Sequence, residues 1–247
     1  MVWVCFNWIW GHGTKVLVNP RLRWVENHIP AGASPDALAS SGGDMAPSPM
    51  DVLDWRRRVA ALYRDVRADT DVARAHRTWA EARFELLATH PASPVSAAAR
   101  DAFVGGRVAP YDPAFRFVVP VDTDAEPQRR ELRTGTDGLV PFERIGQVKL
   151  EGLGSLDVWW LDSYGGGIFL PVHDATSGVT TYGAGRYLLD TTKGADLGGD
   201  AHGLVVDLNF AYQPSCAYDE AWACPLPGAG NRLAAEVPVG EMYVERG

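Results

Sequence analysis

The sequence predicts an α+β fold, in which N-terminal helices pack on an antiparallel sheet that is either barrel-like or a sandwich. Two observations lead to this prediction. Apolar residues recur with a helical period between residues 51 and 88. After Ala109 the chain changes to short segments that are rich in β-forming residues and separated by turn residues. The segments between them lack the long crossovers of a parallel sheet, so the strands are expected to be antiparallel.

Two helices are predicted by two apolar stripes, which we interpret as packing faces. The stripes consist of Trp55, Val59, Leu62 and Val66, and of Ala75, Trp79, Ala82 and Leu86. The sequence "ADTD" at residues 68–71 predicts a break between the helices and an N-cap for the second one. Pro91 and Pro94 are expected to end the helical region.

Strands are predicted for five stretches of the second half of the chain. They are residues 115–121, residues 145–150, residues 155–172 as two strands around a tight turn at residues 165–167, residues 185–191, and residues 202–212. In the last stretch Val205, Asp207 and Asn209 are expected to share one strand face. That face is polar in surroundings that are otherwise apolar, so it needs hydrogen-bonding partners.

Residues 45–247 are predicted to form a single domain, whereas residues 1–44 differ from it in composition. The first stretch holds four of the nine tryptophans and ends in a Gly/Ser/Ala/Pro-rich sequence typical of a linker. We interpret it as a disordered or functional arm, or as an artefact of a translation start that lies at Met45 or Met50. No site is predicted there.

The composition argues against two classes of partner. A formal net charge of −8 and the lack of clustered Lys and Arg disfavour a nucleic-acid partner, and "QRRELR" at residues 128–133 is interpreted as a solvated face. No stretch approaches the roughly 20 apolar residues that span a bilayer.

The first ten residues lack a basic n-region, so they are not expected to be a signal peptide. We therefore expect a cytoplasmic location. Oligomeric state stays open.

The candidate site begins at "DATSGVTTYGAGRYL", residues 174–188. Side-chain oxygens of Asp174, Thr176 and Ser177 are expected to bond nearby backbone N–H groups, with Gly178 at positive φ. Gly183 and Gly185 are interpreted as entering a strand on one face, where they leave room for a ligand or for another part of the backbone. Arg186 is expected either to pair with Asp174 or Asp207, or to hold an anionic ligand.

The chain resembles a bacterial family called domain of unknown function number sixteen eighty-four. The resemblance rests on "GGGIFLPVHDATSGVTTYGAGRYL", "VVDLNFAYQPSCAY" and "CPLP", and on "HPASPVSAAARDAFVGGRVAPYDPAFRF" upstream. It covers residues 90–243, with the preceding helix plausibly included, and it implies little about function. His173 departs from the family pattern, in which another residue usually stands there, and this weakens any catalytic scheme built on that histidine.

Cys216 is the candidate nucleophile, and Asp174 is the candidate catalytic carboxylate. A reactive Cys216 needs a base or a cation, such as His173 or Arg186. The alternative is that Cys216 and Cys224 are two buried thiols or a local disulfide. No metal site is predicted, because the cysteine spacing fits zinc poorly. No cofactor is predicted either, because "YGAGRY" enters a strand rather than a helix.

The sequence therefore predicts a pocket for a small anionic metabolite between residues 174–187 and 207–218, and leaves open whether the protein is an enzyme. Its predicted ligand-binding residues are Arg186, Tyr182, Asp207, Asn209, Tyr212 and Tyr218. One alternative is a hydrolase or acyl transferase that uses Cys216. The other is a structural or interaction protein, in which these residues only build a polar core.

Overall fold

Two helices, α1 (Pro49–Ala68) and α2 (Val72–Thr89), form the first part of the fold. We describe a computed structural model of residues 46–103, 105–134, 138–200 and 202–243. These residues belong to one compact unit, Asp44–Gly247, and the predicted N-terminal arm lies outside them. None of the helices in these ranges is both long and apolar enough to cross a membrane.

Both helices begin where the sequence supplies a cap. The Ser48 hydroxyl accepts from the Asp51 backbone N–H at 3.2 Å, and the Asp51 carboxylate accepts from the Ser48 N–H at 2.8 Å. Asp71 caps α2 by accepting from the Arg74 N–H at 3.0 Å. The predicted pair of helices and the predicted break between them are confirmed.

A short helix α3 (Ala97–Arg100) leads into the strands, most of which are short. They are β1 (Arg107–Val108), β2 (Arg116–Val119), β3 (Arg129–Thr134), β4 (Gly138–Leu150), β5 (Gly154–Leu161), β6 (Ile168–Val172), β7 (Arg186–Asp190), β8 (Gly199–Asp200), β9 (Gly203–Asp207) and β10 (Glu241–Met242). Two 3₁₀ turns matter for the site, at Thr191–Lys193 and Leu208–Phe210.

The strands form three antiparallel sheets. The largest has the order β3-β4-β5-β6-β7, the second has the order β2-β9-β8, and β1 pairs with β10. N-terminal helices with antiparallel sheets are thus confirmed. The barrel-like form is not observed, because within the described ranges β3 and β7 stay at opposite edges of the large sheet without pairing.

One large apolar cluster joins the helices to the sheets. Tyr63 of α1 and Trp79 of α2 pack with buried residues of β4 to β7, among them Leu156 and Leu188. Trp79 also meets the Phe210 ring at 5.2 Å between centroids. Burial of each such large side chain contributes about 1.5–3 kcal/mol to the free energy of unfolding, so the helix stripes are held mainly by this cluster.

One stretch of the large sheet was not predicted as a strand, and one local prediction is wrong. The basic stretch at residues 128–133, predicted as a solvated face, contains most of β3, on which Arg129 and Glu131 are exposed. The predicted strand over residues 202–212 ends at Asp207, because the chain then turns into the 3₁₀ turn Leu208–Phe210. Asn209 therefore does not share a strand face with Asp207, and the Asp207 carboxylate caps the turn instead.

Candidate functional site

The loop that begins at Asp174 folds as predicted for Asp174 and Ser177, whereas the Thr176 hydroxyl bonds to the Asp174 and Thr181 side chains and not to a backbone N–H. The Thr176 backbone N–H donates to Asp174 Oδ1 at 2.8 Å, and the Asp174 N–H donates to the Ser177 hydroxyl at 3.2 Å. Gly178 has a φ of 83°. The bond from Thr176 ties the Asp174 side chain to its own loop, so the carboxylate stabilises the turn.

The space beside Gly185 is filled by the chain itself. A Cβ there would lie 2.7 Å from Pro227 Cγ and 2.8 Å from the Val172 carbonyl oxygen. Gly183 faces the Cα of Gly178, and both Gly183 and Gly185 precede β7 rather than lying in it. Of the two possibilities for these glycines, close backbone approach fits the structure and room for a ligand does not.

Arg186 is buried in an ion pair with Asp174, and both side chains are 0% exposed. Its Nη2 donates to Asp174 Oδ2 at 2.9 Å and to the Val237 carbonyl at 2.9 Å, while Nη1 donates to the Val239 and Glu241 carbonyls. Burial lowers the pKa of Arg186, and the Asp174 carboxylate opposes that change.

This geometry does not fit the predicted ligand contact of Arg186 or the predicted catalytic role of Asp174. The Nε of Arg186 is the one guanidinium nitrogen that lacks a hydrogen-bond partner, and it is buried. Both Asp174 oxygens accept hydrogen bonds from buried groups. A ligand would have to displace these bonds in the core. The pair therefore matches the structural alternative for Arg186, with Asp174 rather than Asp207 as its partner.

Asp207 and Asn209 form a separate polar cluster. Asp207 Oδ1 accepts from the Asn209 N–H at 3.1 Å and from Asn209 Nδ2 at 2.8 Å, and its Oδ2 accepts from the Tyr111 hydroxyl at 3.2 Å. Asn209 Oδ1 also accepts from the Asp112 N–H at 2.8 Å. Burial raises the pKa of Asp207. The cluster fastens the 112 loop to the 3₁₀ turn, and Asp207 also lies 3.6 Å from Arg116 on the wall of a cavity of about 480 Å³.

Cys216 is not joined to a base in the described residues. The Tyr182 hydroxyl donates to the Cys216 carbonyl at 3.2 Å, so the predicted ligand residue Tyr182 is engaged locally. The Cys216 backbone N–H donates to Cys224 Sγ at 3.3 Å. The hydrogen bond to Cys224 and burial raise the pKa of Cys216, whereas the bond from the Cys216 thiol lowers that of Cys224 from 9.0 to about 6. A thiolate is thus favoured at Cys224, not at the predicted nucleophile.

A second arginine, the partly buried Arg83 of α2, contacts two of the predicted residues. Its Nε donates to Glu241 Oε2 at 3.1 Å, and its Nη2 donates to the Gln213 carbonyl at 3.1 Å and to the Tyr218 hydroxyl at 3.3 Å. The Tyr218 hydroxyl in turn donates to Glu241. The guanidinium also lies 4.6 Å above the centre of the Tyr212 ring.

We call the space beside this cluster the Arg83 cavity. It has a volume of about 90 Å³, and its wall includes Arg83, Tyr212, Tyr218 and Lys193. Two further cavities, of about 180 and 430 Å³, adjoin it along α1. Lys193 lines all three, and Arg56 lines the outer two. Together they make a cleft between α1 and the edge of the large sheet.

Two backbone features place these side chains in the cleft. Gly194 follows the 3₁₀ turn after β7 with a φ of 93°, and a Cβ there would lie 2.9 Å from the Ala60 nitrogen of α1. This close approach holds Lys193 against α1. Tyr212 exchanges two backbone hydrogen bonds of 2.8 Å with Tyr187 of β7, which sets the Tyr212 ring beside the sheet.

Two polar groups of the Arg83 cavity remain without a partner among the described residues. They are Arg83 Nη1 and the Tyr212 hydroxyl, neither of which makes a hydrogen bond there. Among the described residues, Arg186 Nε is the sole fully buried side-chain N or O atom that lacks a partner. Arg83 Nη1 and the Tyr212 hydroxyl lack a partner too, so they cannot be fully buried and must be partly accessible. The Arg83 side chain is 15% exposed. Both residues line the Arg83 cavity, and each has a polar atom that bonds to no described residue.

Sequence reasoning missed Arg83, Lys193 and the role of Glu241. One signal could have found Arg83: it stands four residues after Trp79, at the spacing that places two side chains on the same side of a helix. A charged residue beside a buried stripe needs a partner in the core. Nothing in the sequence indicates that the partner would come from the far C-terminal end.

The chain was compared with known proteins. The model of a family described as "Protein of unknown function (DUF1684)" matches residues 101–242. An uncharacterized protein of Haloarcula marismortui, solved in solution, is similar with a TM-score of 0.50 and 25% identity, covering 79% of this chain and 98% of that one. No curated protein matches. Tyr212, Tyr218 and Glu241 lie within the matched family region, and Arg83 precedes it.

Proposed function

The chain belongs to the DUF1684 family, and we propose that it binds a small anionic metabolite in the Arg83 cavity. The observation that carries this proposal is the pair of unused donors, Arg83 Nη1 and the Tyr212 hydroxyl, on the wall of one cavity. Protein polar groups that reach a cavity without an internal partner are satisfied by water or by a ligand. The proposed pocket is thus lined by Arg83 instead of Arg186, and it still includes two of the predicted residues, Tyr212 and Tyr218.

The charges of the cleft favour an anion. Arg83 is balanced by Glu241, and Lys193 lies 3.5 Å from Asp190. Arg56 makes no ion pair with a described residue. The cleft therefore carries one cation in excess, and charge-assisted bonds from Arg or Lys to a carboxylate or phosphate are the strong ones.

The rest of the wall favours a ligand with an apolar body. Trp55, Tyr63, Tyr187 and Tyr212 line the Arg83 cavity, and Trp222 and Pro225 line the adjoining one. At about 90 Å³ the Arg83 cavity itself holds little more than one anionic group, so the body extends along α1. Ligand sites commonly combine such apolar walls with a few polar groups that fix orientation.

Two finer expectations belong to the same proposal. A sandwich-like arrangement is supported because residues of the large sheet and of β9, such as Leu170 and Val206, share one apolar cluster. A cytoplasmic location is supported by the low cysteine content, since three cysteines are too few for the disulfide framework of a small secreted domain.

A thermal-shift screen tests the proposal, with inorganic phosphate, sulfate and a panel of aromatic and aliphatic carboxylates as probes. A ligand at 100 times its Kd stabilises a protein by about 2.7 kcal/mol, which is visible as a rise in Tm. Lys193→Gln is expected to reduce that rise. Lys149→Gln is the matched control, because Lys149 also forms an exposed ion pair, at 3.1 Å from Asp122, but lines none of the three cavities.

A rise in Tm that both lysine variants keep in full would mean that the anion binds elsewhere. A screen in which no probe raises Tm would favour the structural alternative, in which the cluster around Arg83 only supports the fold.

A further inference from the structure

The two cysteines of the C-terminal half lie side by side, half-buried and unpaired. Cys216 is on a 3₁₀ turn, Ser215–Ala217, and Cys224 follows eight residues later. Neither belongs to the Arg83 cluster, and neither has a role in the proposed function. Two thiols held together without a disulfide are the reduced half of a redox pair.

The backbone brings the sulfur atoms within reach of each other. Cys224 Sγ accepts from the Cys216 N–H at 3.3 Å, and that nitrogen is three bonds from the Cys216 sulfur. The loop between them contains no α-helix or strand, so a bond between the sulfur atoms would not break either element.

One of the two sulfur atoms is open to a small molecule. Cys224 lines the cavity of about 180 Å³ that adjoins the Arg83 cavity, whereas Cys216 lines none of the three cavities of the cleft. Lys193 on the same wall favours a negative charge on Cys224. A bond from the Cys216 N–H to a thiolate sulfur stabilises that charge further.

We propose that Cys216 and Cys224 form a redox-active dithiol site, which reduces small-molecule disulfides and closes an internal disulfide in return. Cys224 is the attacking residue because it faces the cavity, and Cys216 is the resolving residue because it lies behind Cys224. The site needs neither Arg83 nor Tyr212, although it shares Lys193 and the cavity of about 180 Å³ with the proposed anion site.

The reaction balances with the small disulfide as the oxidant. The Cys224 thiolate attacks one sulfur of the small disulfide, a mixed disulfide forms, and the first thiolate leaves and takes up a proton. Cys216 then loses its proton to water and attacks the Cys224 sulfur, which releases the second small thiol. Two protein thiols are oxidised to one disulfide, and one small disulfide is reduced to two thiols.

The test uses oxidised glutathione and the full chain carrying Cys5→Ser, which removes the third cysteine. After incubation, the expected product has lost two hydrogens, carries no glutathione, and yields a proteolytic peptide in which Cys216 and Cys224 are joined. Retention of glutathione on the parent without that cross-link, or no reaction at all, overturns the proposal.

Two further variants assign the roles of the sulfur atoms. Cys216→Ser is expected to stop at one glutathione on Cys224, because the resolving thiol is gone. Cys224→Ser is expected to react about fivefold more slowly at pH 7, because the remaining thiol is less ionised. Equal rates of uptake by the two variants, or faster uptake by Cys224→Ser, contradict the assignment. Cys→Ser keeps the size of the side chain, and far-UV circular dichroism checks that each variant is folded.

Discussion

Arg186 and Arg83 are both arginines of the protein interior that face a carboxylate, yet they serve different purposes. Arg186 is 0% exposed, and its terminal nitrogens donate to Asp174 and to three carbonyl groups. Arg83 is 15% exposed, donates to Glu241, Gln213 and Tyr218, and keeps Nη1 unused on the wall of a cavity. The difference is whether the protein itself satisfies the guanidinium.

This comparison shows that residue type alone does not distinguish the two arginines. A buried arginine with a carboxylate partner costs desolvation, and the core must satisfy it completely for the fold to tolerate it. Arg186 nearly meets that condition, and so it has little left to offer a ligand. Arg83 meets it only in part. An incompletely satisfied cation beside a cavity is the better indication of a site.

The largest expected effect comes from breaking the buried ion pair between Arg186 and Asp174. Arg186→Met leaves the buried Asp174 carboxylate without its charge partner, and removal of one partner of a buried pair typically costs about 3–5 kcal/mol. We expect a loss of that size in the free energy of unfolding, measured by urea denaturation. A loss below about 1 kcal/mol, the range of an exposed ion pair, would mean that the Arg186 cluster does not hold the fold.

A smaller effect separates the two tyrosines of the Arg83 cluster. Tyr218→Phe removes a hydroxyl that bonds to Glu241 and Arg83, and loss of a bond to a charged group costs about 1.5–3 kcal/mol. Tyr212→Phe removes a hydroxyl that bonds to no described residue, so it is expected to change the free energy of unfolding by less than about 0.5 kcal/mol. Equal losses in both variants would show that the Tyr212 hydroxyl is engaged inside the fold.

The smallest expected effect is a change in the pH dependence of stability, and it comes from a buried histidine. His76 is buried and lies 2.9 Å from the Asn209 carbonyl oxygen, and burial lowers its pKa below 6.5. The unfolded chain then binds the proton more readily, so stability is unaffected above 6.5 and declines as the pH falls below it, until the lower folded pKa is reached.

The measurement is the difference in free energy of unfolding between about pH 7.5 and pH 5.5, a window around the ordinary histidine pKa. His76→Gln, which cannot titrate, should lose less stability than the wild type over that window. Parallel losses in the two proteins would show that His76 is not held neutral by burial.

Local patterns in the sequence were enough for the helices and the Asp174 turn. The stripe from Trp55 to Val66 and the cap at Asp71 act within a few residues of each other, and the same holds for the bonds between Asp174 and Thr176. Such features are set by the chain next to them, so a sequence pattern predicts them well.

Features that depend on distant segments were not predictable in the same way. β3 has few β-forming residues and is held as a strand by its pairing with β4, so its exposed, charged sequence did not predict a strand. Arg83 is held by an ion pair with Glu241, which is 158 residues away in the chain. Asn209 also looked like a strand residue, but the chain leaves β9 after Asp207, and Asn209 lies in the 3₁₀ turn at Leu208–Phe210.

The most direct test of the central claim is the affinity for the most stabilising anion of the screen, measured by calorimetric titration of the wild type, Tyr212→Phe and Tyr182→Phe. Each variant loses one phenolic hydroxyl, but only Tyr212 lines the Arg83 cavity. The account predicts that Tyr212→Phe weakens binding by about 10- to 100-fold, as expected for one bond to a charged group, and that Tyr182→Phe binds like the wild type. Wild-type affinity in Tyr212→Phe, or an equal loss in both variants, would contradict it.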